Sequence, residues 1–206
     1  MSRQTLERLP LYLNYLKSLD SNLPENISAR CIAETLGLTE IQVRKDLACV
    51  SDGGKPRVGF VSLDLINDIE NFLGYKDVND AILVGTGKLG KALMTYKGFS
   101  DYGLNIVAGF DIDENIVEEK EEGRPIFHIS KMKNLCQRMN IKIGIITAPW
   151  EVAQEIADAM IDSGILAIWN FAPAHIEVPE CVLVKNENMA VSLALLSKHL
   201  KEQLTK

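Results

Sequence analysis

Leu6, Leu9, Leu13 and Leu16 recur at three- and four-residue spacing, which predicts an apolar helix face at the start of the chain. Ser28 stands where an N-cap belongs, before ARCIAETL, and Gly37 stops that helix. Thr39 caps the next one, EIQVRKDL. Two short helices meeting at Leu36-Gly37-Leu38 have the size and punctuation of a helix-turn-helix, with Ala33 small at the crossing and Ile41 and Val43 available for packing. The stretch from Lys55 to Ser62 reads as extended and suits a wing.

The pattern changes near Gly74-Tyr75-Lys76-Asp77. Beyond that seam, short β-branched runs alternate with helical stretches. AILVG (81–85), NIVAGFD (105–111), KIGIIT (142–147) and ILAIWNF (165–171) read as buried strands. KALMTYKGF and EVAQEIADAMIDSG read as the intervening helices, and the alternation predicts a parallel, doubly wound sheet. MAVSLALLSKHLKEQL is a closing helix that is apolar nearly all round, so it needs cover on more than one side, which a partner subunit could supply.

The first strand runs directly into GTGKLG (85–90). GxGxxG alone is a weak signal, but here a strand enters it, a helix leaves it, and Asp111 ends the following strand 21 residues after Gly90. Gly85 permits the tight turn, Gly87 lets backbone approach a pyrophosphate, and Gly90 lets the helix pack on the sheet. The backbone of Thr86, Lys88 and Leu89 opens that helix, whose N–H groups suit phosphate. Asp111, followed by Ile112, would accept from ribose hydroxyls and repel a 2′-phosphate, which favours NAD(H) over NADP(H). Another adenine nucleotide such as coenzyme A, or no ligand, remains the alternative on pattern alone. Thr147-Ala148-Pro149 and Asn170-Phe171-Ala172-Pro173 follow strands, where such a sheet holds its ligand; the prolines could equally just break the chain.

Composition narrows the class. The 206 residues suit one ordinary domain plus a small one, and 47% are apolar, enough for a sizeable core. The formal charge of −6 argues against a uniformly basic coat but leaves room for a local basic patch. Gln42, Arg44 and Lys45 on the second short helix, and Lys55 and Arg57 on the arm, would make such a patch; Ser28 and Thr39 at the helix starts complete the candidate DNA-facing set. An ordinary solvated helix and loop is the plainer reading of those charges. Cys31, Cys49, Cys136 and Cys181 form no CxxC pair, which speaks against a zinc ribbon or redox dithiol and suits a reducing cytoplasm. Neither a signal peptide nor a run near the ~20 apolar residues of a membrane span is evident. His128, His175 and His199 sit in no catalytic pattern, so no enzyme activity and no metal site are expected.

Taken together and in order, RLPLYLNYL, QVRKDL, GTGKLGKALMTYKGF, VAGFDID, AQEIAD, SGILAIWNFAP and the leucine-rich last helix resemble the Rex family of redox-sensing transcriptional repressors. The resemblance implies an N-terminal winged-helix domain (1–77), a Rossmann-like domain (78–188) and a C-terminal domain-swapped dimerisation helix (189–206). It implies a cytoplasmic homodimer that binds a palindromic operator when NADH is scarce and releases it when NADH binds. It puts Arg44 and Lys45 in the major groove, the Lys55–Arg57 arm in the minor groove, and Tyr96, Pro149 and Phe171 near the nicotinamide. The chain departs from the family at three places. Its wing, CVSDGGKPRVGF, lacks the two aromatics after the recognition helix, and Pro56-Arg57 replaces the usual arginine-glycine. Asn14 and Asn188 stand where the family has an arginine and an aspartate that pair in the DNA-bound state, leaving Tyr96 alone of the three switch residues. Trp150 replaces a small residue and would narrow the nicotinamide end. Alternatives are a Rex-like paralogue with a weakened or altered NADH response and a nucleotide- or CoA-binding module without operator binding.

Overall fold

A computed structural model describes residues 1–117 and 120–204; Thr205 and Lys206, the end of the expected last helix, lie outside the described residues. The chain divides into two compact units, Met1–Asp77 and Val78 onward.

In the first unit, α1 (Arg3–Ser18) begins at Ser2, whose hydroxyl accepts from the Thr5 amide at 3.1 Å. Its buried face is Thr5, Leu9, Tyr12, Leu13 and Leu16; Leu6, expected on that face, is 45% exposed, because the stripe turns through Thr5 and Tyr12 instead. A two-residue strand β1 (Asn26–Ile27) precedes α2 (Ala29–Leu36) and α3 (Glu40–Leu47). Ser28 accepts from Cys31 N at 3.1 Å and Thr39 from Gln42 N at 3.3 Å, so both caps form as read. Gly37 closes α2 at φ +67°, the left-handed conformation that ends helices. Strand β2 (Phe60–Val61) pairs antiparallel with β1, Ile27 opposite Phe60. The wing is shorter than expected: Ser62 already starts α4 (Ser62–Leu73), which the sequence reading did not single out. Leu9, Leu13, Leu16, Ile32, Val43, Leu47, Phe60, Leu65 and Ile69 share one core.

The second unit is a seven-stranded sheet. In chain order its elements are β3 (Asn79–Val84), α5 (Lys88–Thr95), β4 (Leu104–Asp111), β5 (Lys120–Glu121), β6 (Arg124–His128), α6 (Met132–Met139), β7 (Ile143–Ile146), α7 (Ala153–Asp162), β8 (Ala167–Asn170), β9 (Leu183–Asn186) and α8 (Met189–Leu204). Strand order is β5-β6-β4-β3-β7-β8-β9, with only β5 antiparallel to its neighbour. Chain order reverses at β3, and ligand crevices open outside the strand ends at such a point. Ile82 and Val84 face the core under α6 and α7, whereas Leu83 faces the core under α5, the two-residue alternation of a strand covered on both sides. A register shift between Ala81 and Ile82 skips Val107. That extra residue puts Ile106 with Leu83 while Ala108 and Phe110 join Ile82. The helix expected over KALMTYKGF starts earlier and stops at Thr95; a 3-10 segment, Lys97–Tyr102, carries the rest. Helix α8 forms as expected but buries none of its residues.

Candidate DNA-binding face and nucleotide site

The first unit turns one stripe of α3 to its core: Val43, Asp46 and Leu47 are buried. Asp46 directly follows Arg44 and Lys45 of the expected DNA-facing set, yet it is 3% exposed. Its carboxylate accepts from Thr5 Oγ1 at 2.9 Å, Arg8 Nε at 2.7 Å, Arg8 Nη2 at 2.9 Å and Tyr12 OH at 2.7 Å. Thr5, Arg8 and Tyr12 lie at i, i+3 and i+7 on one face of α1, so a single helix stripe delivers every donor. Burial alone would raise the Asp46 pKa; the hydrogen bonds from Arg8, Tyr12 and Thr5 outweigh it and hold the carboxyl below its ordinary value. Burial, helped by the bond to Asp46, pushes the Tyr12 phenol up to about 12. This network fastens α3 to α1 and thereby decides which residues α3 shows to solvent.

Those residues are Ile41, Arg44, Lys45 and Ala48, with Gln42 partly covered. Ile41 was expected to pack, but it is 68% exposed, because Asp46 and Val43 take the inward stripe. Arg44 pairs with Glu40 one turn back. A cleft of about 570 Å³ is lined by Ser28, Arg30, Arg44, Lys55 and Arg57 among others. Arg30, on the first turn of α2, was not singled out from sequence; its place two residues after the Ser28 cap was the available signal. Thr39, Gln42 and Lys45 lie outside that lining. The wing is a tight turn: Lys55 N donates to Gly59 O at 2.8 Å, and Gly59 N returns to Lys55 O at 2.9 Å. Pro56 and Arg57 are its central residues, and Arg57 takes φ +64°. That conformation suits glycine and costs an arginine about 1 kcal/mol.

In the second unit, a cleft of about 890 Å³ opens at the carboxyl ends of β3, β4, β7 and β8. Its lining includes the expected Gly85, Gly87, Leu89, Asp111, Ile112, Thr147, Ala148, Pro149, Phe171 and Pro173, together with Ile129, Val152, Glu155 and Ile156, which sequence reasoning missed. The three glycines do different work. A Cβ at Gly85, which has φ +96°, would meet Ala148 N at 2.7 Å, and one at Gly90 would meet Gly85 O at 2.1 Å. A Cβ at Gly87 would meet nothing within 4 Å, so that position keeps open space for a ligand. Among the described residues, no Arg or Lys lines the cleft. Any phosphate there relies on the backbone N–H groups at the start of α5.

Asp111 is densely bonded. Oδ2 accepts from Thr86 N at 2.7 Å and Thr86 Oγ1 at 3.0 Å; Oδ1 accepts from Ile112 N at 2.8 Å and Asp113 N at 3.2 Å. Burial would raise its pKa, but these donors, led by the Thr86 amide, hold it below the ordinary carboxylate value, so it is ionised at neutral pH. All of its roughly four lone-pair sites are engaged. The Thr86 hydroxyl is the one donor of the four that can swing away.

Other expected site residues support the cleft from behind. Thr147 Oγ1 reaches Gly85 O at 2.6 Å, tying β7 to the glycine turn. Asn170 is fully buried; its amide donates to Ala174 O at 3.0 Å and Asn186 Oδ1 at 2.9 Å and accepts from Ala172 N at 3.0 Å, which shapes the loop carrying Phe171 and Pro173. Lys88 and Gly90 lie outside the lining. Tyr96 also lies outside it, 55% exposed at the end of α5. Rings connect it inward: Tyr96 to Phe99 at 4.9 Å, Phe99 to Trp169 at 5.6 Å, and Trp169 to Phe171 at 4.8 Å between centroids. Trp169 Nε1 donates to Glu187 at 3.2 Å, beside Asn188, whose side chain accepts from Val191 N at 3.2 Å at the start of α8. Trp150 is 62% exposed and outside the lining, and Asn14 is exposed on α1. Among the described residues no cluster of His, Cys, Asp and Glu could hold a metal, and no helix is long and apolar enough to cross a membrane.

Comparison with known proteins bears on both units. A family model described as a putative DNA-binding protein N-terminus matches residues 1–48, and one described as a CoA binding domain matches residues 77–174. The redox-sensing transcriptional repressor Rex of Porphyromonas gingivalis is 42% identical over 96% of this chain and 90% of its own length. The Rex of Bacteroides thetaiotaomicron is 38% identical over 95% of this chain and 89% of its own. The crystal structure of RSP in complex with β-NAD⁺ and operator DNA covers the whole chain with a TM-score of 0.94 at 32% identity, and 94% of that chain is matched. RSP in complex with β-NADH matches with a TM-score of 0.89 at 32% identity, over the whole of this chain and 96% of its own. With its winged-helix unit, its glycine-turn cleft and relatives of this similarity over nearly its full length, the chain belongs to the Rex family of redox-sensing transcriptional repressors.

Proposed function

We propose that this protein is a non-enzymatic, cytoplasmic homodimeric repressor that binds a palindromic operator and releases it when NADH occupies the second-unit cleft. The observation that carries the reading is the pairing, in one chain, of an α3 face bearing Arg44 and Lys45 with a cleft marked by Gly85, Gly87 and Asp111. Arg44 and Lys45 read or anchor to the major groove; Lys55 and Arg57 carry the wing toward the minor groove, where arginine is favoured by the negative potential. Ser28, Thr39 and Gln42 lie at the starts of α2 and α3, where backbone N–H groups meet phosphate. Asp111 receives the adenosine ribose and repels a 2′-phosphate, and the residues from Thr147 to Pro149 and Phe171 flank the nicotinamide end. The proposed domains are a winged helix over 1–77, a Rossmann-like domain over 78–188 and a swapped dimerisation helix over 189–206. On α8, Met189, Val191, Leu193, Leu195, Leu196, Leu200 and Leu204 are each more than half exposed, which supports a helix covered by a second subunit.

A second reading has its own support. Asn14 and Asn188 cannot form the charged pair that the resemblance implies for the DNA-bound state, and the Asn188 side chain caps α8. Losing both charges together avoids stranding either one. Neutral amides hydrogen-bond without charge assistance, so the response to NADH is weaker or differently wired. An operator gel shift with and without NADH and NAD⁺ separates the two. Release by NADH alone supports the redox sensor; a shift indifferent to NADH leaves a repressor without the switch; no shift with any upstream fragment overturns operator binding. If the lost pair is the cause of a weak response, Asn14→Arg with Asn188→Asp strengthens release by NADH.

A further inference from the structure

Ile41 is the second residue of α3 and is 68% exposed. With Arg44, Lys45 and Ala48 it forms the i, i+3, i+4, i+7 stripe that α3 shows to solvent, opposite the buried Val43, Asp46 and Leu47. The four hydrogen bonds on Asp46 lock that rotation, so Ile41 cannot turn inward without breaking them. Scattered exposed apolar residues need no explanation. This one stands on the N-terminal turn of a helix-turn-helix recognition helix, one turn before Arg44 and Lys45, and that turn is the one such proteins bring to base edges. Glu40, the residue before it, turns back to pair with Arg44 along the helix. The major groove offers one apolar group, the C5-methyl of thymine.

We infer that Ile41 is a specificity-determining residue that packs against a thymine methyl in each operator half-site. The inference rests on the operator-binding reading above. Arg44 and Lys45 supply charge and polar contacts, and Ile41 supplies discrimination between thymine and the other bases at one position. The contact buries apolar surface on both sides and needs no rearrangement of α3.

The test uses the full chain and a duplex enriched by it from random-sequence DNA. Each thymine is replaced in turn by deoxyuridine, which removes one methyl and keeps the pairing. The wild-type protein loses about three- to tenfold in affinity at one thymine per half-site. Ile41→Ala binds the all-thymine duplex more weakly by a similar factor and is indifferent to that replacement. Its melting temperature is unchanged, because the side chain is exposed. Wild-type affinity insensitive to every single deoxyuridine overturns the inference, as does a uridine penalty that persists undiminished in Ile41→Ala. Failure of the wild-type chain to enrich any duplex removes the operator reading itself, and this inference with it.

Discussion

Replacing Asp46 with asparagine removes one charge and leaves the shape almost unchanged, so its effect isolates the carboxylate. In the native protein that group accepts two bonds from the Arg8 guanidinium, at 2.7 and 2.9 Å, and one each from Thr5 and Tyr12. Charge-assisted bonds each contribute about 1.5–3 kcal/mol, but burying a carboxylate costs several kcal/mol, so the native network is only modestly favourable in sum. The variant is far less favourable. Its amide turns an NH₂ toward the N–H groups of Arg8 or abandons Tyr12, and the Arg8 side chain, 16% exposed, keeps its charge without a counter-ion. Breaking a pair of this kind costs about 3–5 kcal/mol, a large part of a small domain's 5–15 kcal/mol. Hydrogen exchange of first-unit peptides checks this, because it reports on that unit apart from the second. Amides of α1 and α3 lose protection together, operator binding falls with them, and NADH binding by the second unit persists. Replacing both charged partners, Asp46→Leu with Arg8→Met, recovers only part of the loss: no charge is then stranded, but the buried Tyr12 and Thr5 hydroxyls lose their acceptor. A cost below about 1 kcal/mol for Asp46→Asn would refute the view that this network holds α3.

Titration offers an independent check. Asp46 has a folded pKa below its unfolded value, so its contribution is present above the ordinary carboxylate range and disappears as pH falls through the folded value. Tyr12 is raised to about 12, so its contribution is present below the ordinary phenol value of about 10 and is lost as pH climbs from there to about 12. First-unit stability should decline at both limits, and Asp46→Asn should flatten the acid one. The glycine turn gives a contrast: Gly90→Ala forces a Cβ onto Gly85 O and lowers the melting temperature, whereas Gly87→Val leaves melting nearly unchanged and abolishes NADH binding measured by fluorescence titration. Thr86→Val frees one acceptor site on Asp111 for the ribose and should tighten NADH binding by about three- to tenfold, the worth of one charge-assisted hydrogen bond less its competitor. The gain should vanish in an Asp111→Ala background. Equal affinity for Thr86→Val and wild type would mean that the hydroxyl does not compete with the ligand.

What the sequence alone determined is local. Capping at Ser28 and Thr39, the stop at Gly37, the four buried strands and the glycine turn leading to an acid at Asp111 depend on backbone chemistry and short-period patterning, and each is present in the fold. What tertiary structure decided lies between residues distant in the chain. Asp46 reads as one more charge beside Arg44 and Lys45, and only donors 34 to 41 residues earlier turn it into the fastening of the recognition helix. Ile41 reads as core for the same reason: a short helix with few apolar residues does not announce its inward face until Asp46 is satisfied. Asn170 ends β8 beside a loop that pattern assigns to the ligand, yet its amide is consumed by Ala174, Asn186 and Ala172. Asp111 is legible as an acid at a strand end, but that Thr86 already occupies it is not. Periodicity reports which residues avoid water; which polar groups satisfy one another is settled only when distant segments meet, because an unpaired buried charge or amide costs more than any local preference can offset.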